Sequence, residues 1–509
     1  MAQTQAWPPI PWLWRQYNEN GAWYSGDPAK LAAVSGFWKS REKAKYHIPV
    51  AADIAALAAG FIFSGSPIIT SDDELTNERL QEIMEQSGFY QMLLRGAELQ
   101  SAYGGVFLKL NWDKSLADHP IVAALPGSAG LPEFKYGINI KNTFWTEVRR
   151  EEDTMRVYRR REEYTRDGRI INALFRGNSM ELGTEVPLDS IDETRGTAKV
   201  AQSGTDKLLS VYIPGRLPNK HDPMSPYGAS DYEGLHDLFD ALDETYSALM
   251  RDIRLGKARL IVPMDYLRRK ESIRAALEQD SPAGWVYPDE QEYFVALDID
   301  PQDKGSPITA VQPEVRGTQY LEVINDQVRR IYMAAGFSPQ SAGLDIAGSA
   351  ESGTALNVRE RRSMQTTEAK KTYWWHALVD FVQAMIALDA KAFTPSIKPD
   401  APITVAFADN TQPDTRTIAD ILQQVSAAGA ASTQTKVQIL HPDWDQEKID
   451  EEVVRIMDES DAVFNRYLAG QGAGAIAPEE LRARIMKEDA QTARENLPQL
   501  AEETHVVGE

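Results

Sequence analysis

One stretch limits the possible folds more than any other: the forty residues from Thr354 to Phe393 contain neither glycine nor proline. Those two residues are the usual breakers of a helix, so nothing interrupts one here, and at 1.5 Å per residue the run predicts a helix about 60 Å long. Few compact domains hold a helix of that length. At 509 residues the chain is also too long for one ordinary core, so two or more packed regions are expected, with elements reaching out from them, as in a subunit of a large assembly.

What precedes the long helix has a recognisable order. A helix is predicted from Ser230, which forms an S-x-x-E capping box with Glu233 after the Pro226-Tyr227-Gly228 turn. Its stripe is Leu235, Leu238, Phe239, Leu242, Tyr246, Leu249, Met250 and Ile253. Asp231, Asp237, Asp240, Asp243 and Glu244 fill much of the rest, and Arg251, Arg254 and Lys257 close the helix in keeping with its dipole. Residues 258–312 change character: a strand is predicted at Arg259 to Val262, a helix near Tyr266 to Gln279, and strands around Trp285 to Tyr287 and Tyr293 to Leu297, which together make a small α/β insert. A second helix follows from Thr318 to Ala335 with the stripe Leu321, Ile324, Val328, Ile331 and Tyr332. Both stripes are expected to be too long to be covered within one subunit. Gly336 to Gly353, with Gly343, Gly348 and Gly353 among serines and alanines, predicts a mobile loop whose start is restricted by Pro339.

The N-terminal part opens with Trp7, Trp12, Trp14 and Trp23, aromatics expected to anchor the terminus onto a partner surface, such as another subunit. The longest apolar stretch, Val50 to Phe63, is interrupted by Asp53 and falls short of the ~20 residues that span a bilayer, so it reads as a buried helix. Met1 to Gln5 shows no basic segment followed by an apolar core, and no secretory signal is predicted. One helix is predicted from Asn77 to Tyr103, ended by Gly104-Gly105. Short strands follow from Val106 to Pro214, clearest in a hairpin of Arg156 to Tyr164 and Ile170 to Arg176 around Asp167-Gly168. Arg159, Arg160 and Arg161 lie in it beside Glu162 and Glu163, and are expected on a solvated face rather than at a phosphate site. Beyond Pro395 the pattern predicts a strand at Ile403 to Phe407, helices at Thr415 to Ala428 and Gln446 to Tyr467, a glycine linker from Gly470 to Gly474, and a frayed or disordered tail from Arg482 to Glu509.

Chemistry is notable for what is missing. The chain has no cysteine, which removes disulfides, thiolate metal sites and thiol nucleophiles together. It contains no G-x-x-x-x-G-K-[ST], H-E-x-x-H or G-x-S-x-G, and its seven histidines are scattered without metal-ligand spacing. No enzyme, cofactor or metal is therefore expected. A net charge of -21 argues against gripping nucleic acid by neutralising its phosphates. It is compatible with a conduit, whose repulsive wall would keep a polyanion centred and free to move, and equally with plain solubility.

Taken in order, these elements resemble the portal proteins of tailed double-stranded-DNA bacteriophages. The matching residues are His47-Ile48-Pro49-Val50-Ala51-Ala52-Asp53-Ile54-Ala55 with Phe61-Ile62-Phe63, then Tyr227-Gly228-Ala229-Ser230-Asp231-Tyr232. They continue with Ser352-Gly353-Thr354-Ala355-Leu356 leading into Arg359-Glu360-Arg361-Arg362, Lys370-Lys371 and Trp374-Trp375. The resemblance implies an α+β portal fold in a ring of usually twelve subunits. Residues 1–229 would be the wing, 230–257 and 313–336 two stem helices, 258–312 the clip, 337–353 a tunnel loop around DNA, 354–412 the long helix and a wing strand, 413–470 the crown and 471–509 a tail. Ser341, Gly343, Leu344, Asp345, Ile346, Gly348 and Ser349 would face the DNA, which is contacted without sequence preference. Arg359, Arg361, Arg362, Lys370 and Lys371 would meet phosphate or acids of a neighbouring subunit. Leu235, Leu238, Phe239, Leu242, Tyr246, Leu249, Ile324, Val328 and Ile331 would pack the stem.

By the same resemblance the partners would be terminase, a head-tail adaptor, and the major capsid and scaffolding proteins, at one vertex of a virion assembled in the host cytoplasm. No membrane is involved. The competing readings are a metal-dependent nucleic-acid-processing enzyme and another head-tail structural protein. Arg268, Arg269, Lys270 and Arg274 on the insert are either a docking surface for an acidic partner or a solvated face. Reversing these four charges is expected to leave assembly intact and to weaken terminase or adaptor binding in a pull-down; unchanged binding to both leaves the solvated face.

Overall fold

The computed structural model describes residues 6–40, 44–256, 259–263, 294–297, 309–311, 316–344, 353–407, 422–426, 428, 431–441, 444, 446 and 448–457. They belong to two units, residues 1–408 and 409–509. The first unit begins with α1 (Pro11–Ser25), α2 (Pro28–Val34), α3 (Gly36–Lys39) and α4 (Val50–Ile62). The tryptophans at the start anchor onto their own chain: Trp7 lies 5.3 Å from Trp145, and Trp23 lies 5.3 Å from Phe239, ring centre to ring centre. In α4, Val50, Ile54, Ala58 and Ile62 recur at helical spacing on a buried face, and Asp53 is exposed, as the apolar stretch predicts.

After β1 (Ile68–Ser71) the single helix expected over Asn77 to Tyr103 is in fact two, α5 (Glu74–Gln86) and α6 (Phe89–Tyr103). Asp73 caps α5 by accepting from the Thr76 amide at 3.2 Å, and Gly88 breaks the run with a left-handed φ of 61°. The apolar pattern carries across the break because Leu80 and Ile83 of α5 and Met92, Leu93 and Ala97 of α6 enter the same core.

Strand β2 (Gly105–Asn111), buried at six consecutive positions, is the centre of a three-stranded antiparallel sheet with β3 (Ile121–Pro126) on one side. After β3 in sequence comes a separate sheet, the antiparallel meander β4 (Gly130–Lys135), β5 (Ile138–Glu151), β6 (Arg156–Thr165), β7 (Arg169–Gly177) and β8 (Thr184–Val186), with β9 (Val200–Gln202) also on β7. The predicted hairpin is β6–β7, with Tyr164 opposite Ile170. β10 (Ser210–Pro214) returns to the other edge of β2.

The helix expected to start at Ser230 starts later, as α7 (His236–Leu255). The capping box does not form because both of its residues are engaged elsewhere. Ser230 Oγ donates to the last carbonyls of α6, Ser101 at 2.9 Å and Ala102 at 2.7 Å, while Glu233 accepts from Arg216 and from the Lys220 amide, each at 3.1 Å. The insert contributes β11 (Arg259–Pro263), parallel to β12 (Phe294–Leu297) and antiparallel to β13 (Thr309–Val311). Its expected helix and its Trp285 to Tyr287 strand lie outside the described residues. Next come α8 (Gly317–Ala335) and the long helix α9 (Gly353–Ala392), 40 residues. β14 (Ile403–Ala406) pairs antiparallel with β1, Ile69 opposite Val405.

Two cores share this unit. The first gathers the C-terminal half of α9 (Trp374, Leu378, Phe381, Met385, Leu388) against α5, α6, β2 and β10. The second gathers α7 and α8 against α1 and α4. In the second unit the described helix α10 (Thr433–Leu440) is capped by Ser432, which accepts from the Thr435 amide at 3.2 Å. It lies between the two helices expected there, whose described parts, 422–426 and 448–457, are helical. The glycine linker and the tail lie outside the described residues.

Trp374 is fully buried, meets Phe63 edge to face at 4.9 Å and donates to Gln100 Oε1 at 2.9 Å. Trp374→Ala opens a cavity and strands Gln100, and is expected to destabilise the unit by about 3–5 kcal/mol. A urea midpoint by circular dichroism should fall accordingly; an unchanged midpoint contradicts this packing.

Candidate functional site

The loop between α8 and α9 is where the sequence analysis places function, and its first half is not free. α8 ends on Gly336, whose φ of 97° and close approach to Thr366 (an added Cβ would lie 2.9 Å from Oγ1) require glycine. Phe337 is buried and stacks on Phe61 of α4 at 6.3 Å. Thr366 Oγ1 donates to the Gly336 carbonyl at 2.7 Å, the Ser338 amide donates to Ser363 Oγ at 2.8 Å, and the hydroxyls of Ser341 and Ser363 meet at 2.8 Å. A turn then closes with the Leu344 amide donating to the Pro339 carbonyl at 3.1 Å, and Leu344 packs on the second core. The mobile loop expected over Gly336 to Gly353 is thus, as far as residue 344, a segment pinned to α9. Serine-rich sequence reads as loop because hydroxyls usually face water, but here hydroxyls of α9, Ser363 and Thr366, satisfy the segment's backbone and Ser341 bonds to Ser363. Of the expected loop residues, Ser341, Gly343 and Leu344 belong to this segment; Asp345, Ile346, Gly348 and Ser349 lie outside the described residues.

The residues assigned to the stem share one core. Leu235, Leu238, Phe239, Leu242, Tyr246, Leu249, Ile324, Val328 and Ile331 all join the second core, but they do so within one chain. α1 and α4 cover most of the two stripes within the subunit. Two members of the stripes, Ile253 on α7 and Leu321 on α8, stay exposed, together with Leu255, Val323 and Met333 beside them. The acids of α7 do not all face water either. Asp243 is buried and accepts from Trp38 Nε1 at 3.0 Å, His47 Nδ1 at 2.9 Å and the Ile48 amide at 2.9 Å, an arrangement that the acidic pattern alone hid.

The hairpin arginines also depart from a solvated face. Arg159 is buried under the Trp7 ring at 4.6 Å, with its guanidinium on the Asn178 carbonyl at 2.9 Å, and burial lowers its pKa. Glu162 is buried too. Burial pushes its carboxyl up, but Lys109 at 2.8 Å and the adjoining Arg160 outweigh that and hold it below the ordinary value. Among the described residues no group of His, Cys, Asp and Glu is placed to hold a metal ion, and no helix is long and apolar enough to cross a membrane. Arg268, Arg269, Lys270 and Arg274 lie outside the described residues.

Residues 15–463 match the family described as phage portal protein, SPP1 Gp6-like. The chain belongs to that family. Portal proteins of this kind are structural, and the chain is accordingly a head-tail structural component of a phage-type virion rather than an enzyme. No curated protein sequence matches it. Among solved structures, a chain from the virion of a native gene transfer agent particle is 11% identical, with 86% of this chain and 96% of that one covered, at a TM-score of 0.45.

The cations assigned to the portal's long helix divide sharply. Arg361 and Arg362 are exposed near the pinned loop, and the side chain of Arg359 lies outside the described residues. Lys370 and Lys371, expected at phosphate or at a neighbouring subunit, are instead held by their own. Lys371 pairs with Glu368 at 3.0 Å. Lys370 is buried and pairs with buried Asp231, which also accepts from Ser101 Oγ at 2.5 Å. A buried charge left alone costs far more than the pair. Lys370→Met is expected to destabilise the unit by about 3–5 kcal/mol, while Lys370→Met with Asp231→Leu recovers most of that loss. Additive losses in a double-mutant cycle would show the two residues to be uncoupled.

Proposed function

We propose that this portal chain assembles into a closed ring, twelve subunits in the form the resemblance implies, that conducts double-stranded DNA through one capsid vertex. Terminase docks on it during packaging and a head-tail adaptor afterwards, with the major capsid and scaffolding proteins around it and assembly in the host cytoplasm. The observation that carries the ring is the apolar surface that the helix pair leaves uncovered. With most of their stripes covered by α1 and α4, α7 and α8 still expose Ile253, Leu255, Leu321, Val323 and Met333. Apolar side chains repeated along two helices of one subunit are what a neighbouring copy covers, and a head-to-tail contact of this sort closes into a ring when its rotation divides the circle.

Chemistry of the wall supports passage of DNA rather than its capture. The net charge of -21 opposes a tight grip on phosphate. The pinned segment offers Ser341, Gly343 and Leu344, which carry no charge, so contacts with a moving duplex would be weak and replaceable. Arg361 and Arg362 on the adjoining helix are the exposed cations placed to meet phosphate beside it.

Electron microscopy of the purified protein is expected to show rings with a central hole, and a metal-dependent nuclease assay to show no cleavage. Leu321→Asp with Met333→Glu changes exposed positions of the subunit, where substitutions usually shift stability by only about 0.5 kcal/mol. This variant is expected to keep its circular dichroism and to sediment as a monomer at micromolar concentration. Leu242→Asp differs, because Leu242 is buried in the subunit itself, and is expected to unfold it. Monomeric wild-type protein, or intact rings from the double variant, would overturn the assignment of this face.

A further inference from the structure

We infer that Ser363 is a positioning residue for the segment of residues 338–344 that enters the channel-facing loop: through its one hydroxyl, α9 sets where that segment lies. The inference rests on the ring reading above. Ser363 is fully buried, one turn below Thr367, whose Oγ1 donates to the Ser363 carbonyl at 2.8 Å. Its own Oγ serves two groups of the segment opposite, accepting from the Ser338 amide at 2.8 Å and meeting Ser341 Oγ at 2.8 Å. Ser338 is buried as well, so its amide has no water to turn to if Ser363 Oγ is removed.

The rest of the segment follows from those two bonds. The Ser341 amide donates back to the Ser338 carbonyl at 3.1 Å, the Gly343 amide to the Gln340 carbonyl at 2.8 Å and the Leu344 amide to the Pro339 carbonyl at 3.1 Å, so residues 338–344 form one closed turn. A closed turn attached to α9 at Ser338 and Ser341 is placed by α9. Thr366 adds a third tie, at the Gly336 carbonyl, but that tie lies upstream of the turn and fixes the end of α8 rather than the turn itself. Leu344 also packs on the second core, and the hydroxyl of Ser363 is the polar link by which the position of the long helix is passed to the turn.

Absence of cysteine from the chain makes this directly testable, since Ser341→Cys with Ser363→Cys introduces the only two thiols. The hydroxyl oxygens they replace are 2.8 Å apart, and a disulfide needs about 2.05 Å between sulfurs, so the staple asks for a small approach. Three full-length proteins, wild type, Ser363→Ala and the double cysteine variant, would be compared as purified rings for amide exchange at Ser338. They would then be compared in particles filled in vitro by the cognate terminase, for nuclease-protected DNA per particle. Ser363→Ala is expected to assemble rings normally, to exchange at Ser338 about tenfold faster and to retain several-fold less DNA. In retained DNA the cysteine pair is expected to behave like Ser363→Ala when reduced and like wild type when oxidised, a redox-reversible rescue that a purely structural defect would not give. Exchange at Ser338 stays fast in both states, because a disulfide sulfur is a weak acceptor. Wild-type DNA content in Ser363→Ala rings with fast exchange would overturn the inference, and so would oxidised rings that pack less than reduced ones. Failure of wild-type rings to take up DNA in the same assay would instead count against the portal reading itself.

Discussion

A long helix can form from its own propensity, but apolar packing is non-directional and does not by itself say where along the helix its neighbours belong. In this chain the buried pair of Lys370 and Asp231 decides it. Asp231 stands just before α7, Ser101 that shares it stands near the end of α6, and Lys370 is the midpoint of α9. A slip of α9 by one turn would leave both charges buried and unpaired, so the pair is worth more for the register it enforces than for net stability. Below this point the helix offers the first core an almost wholly apolar face. Above it, Ser363, Thr366 and Thr367 replace apolar groups with hydroxyls.

The second core shows the same division of labour around α7. One face of that helix carries the apolar stripe. Another carries Asp240, Asp243, Ser247 and Arg254, whose spacing of three, four and seven residues places them on one side of the helix. Residues 35–40 and 44–48 lie along that side, reaching Asp240 from Ser35, Asp243 from Trp38, His47 and Ile48, and Ser247 from the Tyr46 amide at 2.9 Å, with Arg254 on the Tyr46 hydroxyl. Lys45 closes the strap by donating to the carbonyls of Phe37, Trp38 and Ser40 at 2.7 to 2.8 Å. With two sides covered by its own chain, α7 has only a remainder to offer another molecule.

Much of this was readable from residues close in sequence. The long helix needed only the absence of breakers, and it was predicted within a residue of its bounds; the β6–β7 hairpin needed a turn and alternation; α8 needed a stripe. What failed depended on partners far along the chain. Ser230 looked like a cap for the helix after it but serves the carbonyls of α6, nearly 130 residues earlier. Lys370 looked like a surface cation and Asp243 like a solvated acid, because each meets its partner only after folding. The break at Gly88 escaped because both flanking helices bury the same side. In the site, glycine and serine content correctly marked a loop, yet composition does not distinguish a serine that faces water from one that holds a backbone amide.

The pairing of β1 with β14 bears on how the chain is made. Ile68 to Ser71 find their partners only at Ile403 to Ala406, so about 330 residues must be synthesised before this two-stranded sheet can close. At ribosomal rates of about 5–20 residues per second that is a delay of roughly 20–60 s. During it α4, α5 and α6 wait with the surface that α9 will cover still open to water. A subunit with contacts this distant folds late and slowly, and its nascent chain carries a long-lived apolar surface that neighbouring nascent chains or chaperones can reach before α9 does.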